Sequence, residues 1–158
     1  MVSPVRGDYR RYQAETPLID LFKFAGPALL ADSIRLDISS ATDALHRNDF
    51  KAATVLAGSA METLLLWKVQ DHGITSPITG MRKGAKPLPE SWDLEDYITA
   101  IELSGLIKAD TVKQSRLAQN FRNLIHPGRT IRLAQACDRG TALGALAAVH
   151  LIVADLTP

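Results

Sequence analysis

From Thr16 the chain turns apolar, with Leu18, Ile19, Leu21, Phe22 and Phe24 close together. A short helix is expected there. Gly26-Pro27 stops it and opens the next, because proline suits the first helical turn. Leu30, Ile34, Ile38, Ala41 and Leu45 then recur three or four apart. That spacing is one face of a helix over roughly 27–47, with Asp32, Arg35, Ser39, Asp43 and His46 opposite. A third helix over about 50–71, capped by Asn48 or Asp49, carries Ala52, Ala53, Val55, Leu56, Ala60, Leu64, Leu65 and Trp67. Its polar stripe is Lys51, Thr54, Gly58 and Glu62.

Periodicity fails over 73–91, where Gly73, Pro77, Gly80, Gly84, Pro87 and Pro89 accumulate. A loop that long is unusual inside a domain and is usually functional or disordered; its basic part, GMRKGAK at 80–86, reads as a disordered surface loop or a flexible basic flap. Helix resumes over about 93–103, capped by Ser91 or Asp93, with Leu94, Tyr97, Ile98 and Ile101 on one side. Thr111 and Gln114 have capping-box spacing. They predict a helix from Thr111 to about residue 125, ended by Pro127-Gly128. The last helix, about 138–156, is apolar almost all round, which places it centrally or in an interface. No segment alternates like a strand. The fold class expected is all-α, an antiparallel bundle of five or six helices.

The chain has 158 residues, 46% hydrophobic and 22% charged, with a formal net charge of +1. That is the composition of a globular domain of ordinary size. Residues 16–158 read as one domain behind a polar, Arg-rich arm, 1–15. The arm lacks the apolar core of a signal peptide. The run Ala142–Ala154, broken by His150, is shorter than the ~20 residues of a membrane span. With the single cysteine, Cys137, this favours a cytoplasmic chain without an intramolecular disulfide.

The histidines, His46, His72, His126 and His150, have no metal-binding spacing, so no metal or other cofactor is expected. His150 reads as a core or interface histidine. Ser59 lies within a helix and outside any nucleophile-elbow pattern. The loop sequence GMRKGAK lacks the phosphate-loop pattern and follows no strand.

The segment from Phe121 to Arg129 carries the most chemistry. Arg122 and His126 are four apart, so they share one face at a helix C-terminus. An arginine beside a titratable histidine suits phosphate chemistry, the first stabilising charge and the second moving a proton. Asn123 lies beside them. Around them Lys108, Lys113, Arg116, Arg122, Arg129 and Arg132 meet only one acid, Asp110, a local charge of +5 that attracts anions. Glu62 is placed to pair with Arg122 across the bundle.

Three stretches, AATVLAGSAMETLLLW, SWDLEDYITAIELSGLI and SRLAQNFRNLIHPGR, resemble those of HEPN-domain proteins, and the resemblance covers about 28–156. It implies a helical bundle that is commonly a homodimer. Many members are metal-independent ribonucleases of toxin or defence type. Others are inactive modules that bind RNA, nucleotides or proteins, among them nucleotidyltransferases. The resemblance implies catalytic roles for Arg122 and His126, with Asn123 at the polar position after the arginine. In active members the 2′-hydroxyl of RNA attacks the neighbouring phosphate. Here only Asn123, Leu124 and Ile125 separate Arg122 from His126, a shorter spacing than the family pattern. The expectation is therefore a non-catalytic dimeric module binding RNA, a nucleotide or a protein, with a composite ribonuclease site as the alternative. Arg116, Arg129, Arg132, Asn123 and Glu62 are the expected binding residues.

Overall fold

The computed structural model describes residues 28–156. The arm at 1–15 and the helix expected at 16–24 lie outside the described residues. Six α-helices and one 3-10 turn make up the described chain: α1 Ala28–His46, α2 Phe50–Asp71, the turn Pro89–Ser91, α3 Leu94–Leu103, α4 Ala109–Asn123, α5 Pro127–Leu133 and α6 Arg139–Leu156. No strand occurs among them. The architecture is the all-α bundle that the periodicity predicts.

Helices α1 and α2 form an antiparallel hairpin. Asn48 makes the turn in the left-handed region, φ 59°, where asparagine is tolerated better than most residues. Asp49 then caps α2, its Oδ1 accepting from the Ala52 amide at 3.1 Å. The predicted α1 face is the buried one: Ile34, Ile38, Ala41 and Leu45 all enter the core. The core runs along α2 through Ala53, Ala57, Ala60, Met61, Leu64 and Leu65, and is closed by Ile98 and Ile101 of α3 and by Ala145, Val149 and Ile152 of α6. Small residues on α2 and α6 let these two long helices pack side by side.

The segment 73–91 is pinned, not loose. Arg82 reaches back to the start of α3, where its Nε donates to Asp96 Oδ1 at 2.7 Å and its Nη2 to Asp96 Oδ2 at 2.8 Å. Trp92 Nε1 donates to the Lys86 carbonyl at 2.7 Å, and the Tyr97 hydroxyl to the Pro89 carbonyl at 2.6 Å. Ile74 and Pro89 are buried. This corrects the expectation of a disordered loop or flexible flap at 80–86, where Arg82 is anchored: composition showed missing periodicity, while the anchors come from side chains on other segments.

Helix α4 departs from its predicted bounds at both ends. It starts at Ala109, and the Thr111–Gln114 capping box does not form. Asp155, near the end of α6, replaces it by accepting from the Lys108 amide at 2.8 Å and pairing with Lys108 Nζ at 3.0 Å. Burial alone would raise the Asp155 carboxyl, but the bonds from Thr111 and Lys108 outweigh it and hold it below the ordinary carboxylate range. Gln114 instead donates to the Gly144 carbonyl at 3.0 Å. At the other end α4 stops at Asn123. Pro127 opens the additional helix α5, in which no residue is buried.

Helix α5 ends on Ala134 at φ 50°, ψ 36°. A Cβ in the left-handed region costs roughly 1 kcal/mol that glycine does not incur. Ala134→Gly is therefore expected to stabilise the fold by about 0.5–1 kcal/mol. A rise in the urea midpoint at unchanged slope checks it.

By length and composition α2 and α6 are apolar enough to cross a membrane, and 50% and 44% of their apolar windows are buried inside the bundle. Core helices share that signature. The α6 helix has 18 residues, longer than its apolar run.

Candidate functional site

Arg122 occupies the last turn of α4. Its aliphatic stem crosses α2 at Gly58, where an added Cβ would stand 2.9 Å from the Arg122 Cγ. One turn further along α2, Glu62 Oε2 accepts from Arg122 Nη2 at 3.4 Å. The pairing expected across the bundle is thus in place. Both side chains keep about a third of their surface in water, 36% for Arg122 and 31% for Glu62. An ion pair this long and this wet restrains the guanidinium without locking it.

His126 does not share a helical face with Arg122. Helix α4 has ended three residues earlier, with Leu124 as its C-cap. His126 adopts an extended backbone, φ −82° and ψ 119°, as the N-cap residue of α5. The cause is Pro127, whose ring disfavours the helical region for the residue before it. The same-face reading is corrected on this point. The motif is two helix ends joined by a turn, not one continuous face. Thr130 stabilises that turn, its hydroxyl donating to the Leu124 carbonyl at 2.7 Å. The His126 side chain is exposed.

The other basic residues separate. Arg116 lies between α4 and α3, donating to Glu95 Oε1 at 3.1 Å and Glu102 Oε2 at 2.7 Å. These carboxylates push its pKa up, Glu102 most. Arg129 Nη2 donates to Asn120 Oδ1 at 3.3 Å. Arg132 is exposed on α5, and Asn123 is half-buried as the last residue of α4. A formal charge of +5 along 108–132 therefore does not become one basic surface. Glu95, Glu102, Glu62 and Asp155 come from other helices and neutralise much of it.

Two neighbours escaped the sequence reading. Tyr97 lies close enough to Glu62 to feel its charge. Burial first, then the carboxylates of Glu62, Glu90, Asp96 and Asp93, push its hydroxyl up to about 12. It stays a neutral donor to Pro89 and is no base near neutral pH. Gly58 was noted only as part of a polar stripe; its role is to make room for Arg122. Neither carries a motif, because each acts through a residue distant in the chain.

His150 is exposed on α6, so of its two readings, core or interface, the core one is corrected. Cys137 is half-buried and its Sγ lies 3.9 Å from the Phe121 carbonyl. Burial pushes this thiol up despite a bond from Thr54 and the charge of Lys51. It is held as a thiol, a poor nucleophile. Among the described residues no group of three or more His, Cys, Asp or Glu is arranged to hold a metal ion. Comparison with family models, curated proteins and solved structures returns no match.

Proposed function

We propose that this chain is a HEPN-like helical module that works by binding a protein partner, in the first instance a second copy, and not by cleaving RNA. The observation that carries this reading is the engagement of its cations. Arg122 and Arg116 are held by Glu62, Glu95 and Glu102 of the same chain. A phosphate would have to compete with those carboxylates for the same guanidinium donors. The turn at Pro127 also separates His126 from the α4 face that carries Arg122. A partner surface is available beside the motif: α5 buries none of its residues, with Ile131 81% and Leu133 49% exposed. Isolated exposed leucines are ordinary, but a helix none of whose residues is buried is not.

A metal-independent ribonuclease of toxin or defence type is the second reading. It is favoured by the exposure of His126 and by the weak geometry of the Arg122–Glu62 pair. Two subunits would then have to bring their motifs together at one cleft.

One experiment separates them. The purified chain is incubated with mixed single-stranded RNA in chelator, beside Arg122→Ala and His126→Ala, and its mass is followed by sedimentation over a concentration series. The expected result is intact RNA and a concentration-dependent dimer that Ile131→Asp weakens. Cleavage lost in both variants would establish the nuclease instead. A monomer at every concentration would remove self-association.

A further inference from the structure

Ion pairs hold Arg35, Lys68, Arg82, Lys108, Arg116 and Arg122 along the bundle. At one end that pattern stops. Arg47, Lys51, Arg132 and Arg139 are exposed there, and none of them meets a carboxylate among the described residues. Arg129 gives one bond to Asn120, while its buried Nε has no acceptor among the described residues.

The fold brings these five cations together from four places. Arg47 lies in the α1–α2 turn and Lys51 in the first turn of α2. The charge of Lys51 reaches Cys137, which bonds Thr54 and lies 3.9 Å from the Phe121 carbonyl at the end of α4. Arg139 opens α6 two residues after Cys137. Helix α5, with Arg129 and Arg132, is tied to the last turns of α4 by the Arg129–Asn120 and Thr130–Leu124 bonds. Two acids of this end are turned inward as caps. Asp49 accepts from the Ala52 amide at 3.1 Å and Asp138 from the Thr141 amide at 2.8 Å, so each offsets its own helix N-terminus. Asp43, one turn back on α1, is the exposed acid that remains.

We infer that self-association through α5 is governed by a chain of phosphates that lies across the basic ends of two copies at once. The inference rests on the reading of α5 as a self-association surface, and it names what controls that surface. Arg129 and Arg132 flank Ile131, the most exposed apolar residue of α5. A two-fold contact centred on Ile131 sets the same patch of each copy against the other, and so sets the two basic ends side by side. Like charges then oppose the contact over a Debye length of about 10 Å at 0.1 M salt. A phosphate chain bound to both ends removes that opposition, and arginine suits it because the guanidinium takes two phosphate oxygens at once. One chain touching both copies acts at far lower concentration than single ions do. The α1–α2 turn and the first turn of α6 expose no large apolar side chain. The surface left beside the contact therefore suits a hydrophilic backbone better than an acidic protein segment, which needs an apolar anchor.

Sedimentation of the full chain over a concentration series tests this at fixed pH, in low and in high sodium chloride. At low salt, linear inorganic polyphosphate, single-stranded RNA and polyglutamate are added in separate arms at matched charge. High salt is expected to tighten the dimer about tenfold by screening. Polyphosphate at low salt is expected to tighten it by about tenfold or more. RNA with the same effect identifies a phosphodiester backbone as a sufficient source, and RNA without effect leaves inorganic polyphosphate as the source. Arg129→Gln with Arg132→Gln is expected to tighten the dimer at low salt and to abolish both responses. A dimer indifferent to salt and to polyphosphate would overturn the inference and leave self-association standing. A monomer under every condition would overturn both. Polyglutamate as effective as polyphosphate would overturn phosphate as the ligand and assign this end to an acidic protein.

Discussion

Asp96→Ala is expected to be among the most damaging single substitutions in this chain, lowering stability by about 2–3 kcal/mol. Asp96 is only 2% exposed, and it does two things at once. It completes the capping box of α3, where the Asp93 side chain accepts from the Asp96 amide and the Asp96 side chain accepts from the Asp93 amide. It also accepts two bonds from Arg82 and so anchors the 73–91 segment. The cost stays below that of breaking a fully buried ion pair, because the Arg82 side chain is 55% exposed and returns to water when released. Burial by itself would raise the Asp96 carboxyl. The bonds and charge of Arg82, with the Asp93 amide, outweigh it and leave the group below its ordinary value. A carboxyl lowered by folding contributes stability that is fully present above its unfolded pKa of about 3.9 and is lost as pH falls through the folded value. The gap between wild type and Asp96→Ala is therefore expected to stay constant near neutrality and to close below about pH 4. Urea unfolding at stepped pH reads it. A gap independent of pH would show that lost packing, not the charge, is responsible.

Gly144→Val is expected to cost about 2–3 kcal/mol, although it replaces a helix-interior glycine with a better helix former. A Cβ at Gly144 would stand 2.8 Å from Cε2 of Phe121 and 3.7 Å from Nε2 of Gln114. Phe121 and Arg122 are consecutive, and each lies against a glycine, the first over Gly144 of α6 and the second over Gly58 of α2. Helix α4 thus settles between two long helices that have each given up one side chain to admit it. A branched residue at Gly144 forces the Phe121 ring, the α4 backbone or both to move. Gly128→Ala is the control, since nothing lies within 4 Å of its added Cβ. In α5 it is expected to stabilise by about 0.5–1 kcal/mol on propensity alone. Thermal midpoints of the two variants should move in opposite directions. A neutral Gly144→Val would mean that the α4–α6 contact is looser than this packing.

How far the site could be read from sequence follows the same division. The partnership of Glu62 with Arg122 was legible, because Glu62 is the one acid of the stripe Lys51, Thr54, Gly58 and Glu62 on an otherwise apolar helix and Arg122 lies off the buried face of its own. The fate of Arg116 was not. Glu95 and Glu102 lie on α3, and only the angle at which α3 crosses α4 brings them to it. The local charge of +5 had the same weakness: it summed neighbours in sequence, while its neutralising acids came from elsewhere in the fold.

By itself the sequence determined the helices with a strong period, narrowed two caps to Asn48 or Asp49 and Ser91 or Asp93, and found the buried faces of α1 and α3, while on α2 it placed Thr54 and Gly58, both buried, on a polar stripe. These depend on residues within a few turns of one another, and helical geometry relates such residues directly. Tertiary structure alone decided where α4 begins, because Asp155 of α6 caps it. It also decided how the 73–91 segment is held, because its anchors lie on α3, and which arginines remain open to a ligand. The motif around His126 falls between the two. Pro127 announced a break locally, but that a new helix starts there, its first turn tied back by Thr130 to the Leu124 carbonyl, was seen only in the fold. Such contacts join residues far apart in the chain, and no local pattern encodes which distant side chain will arrive.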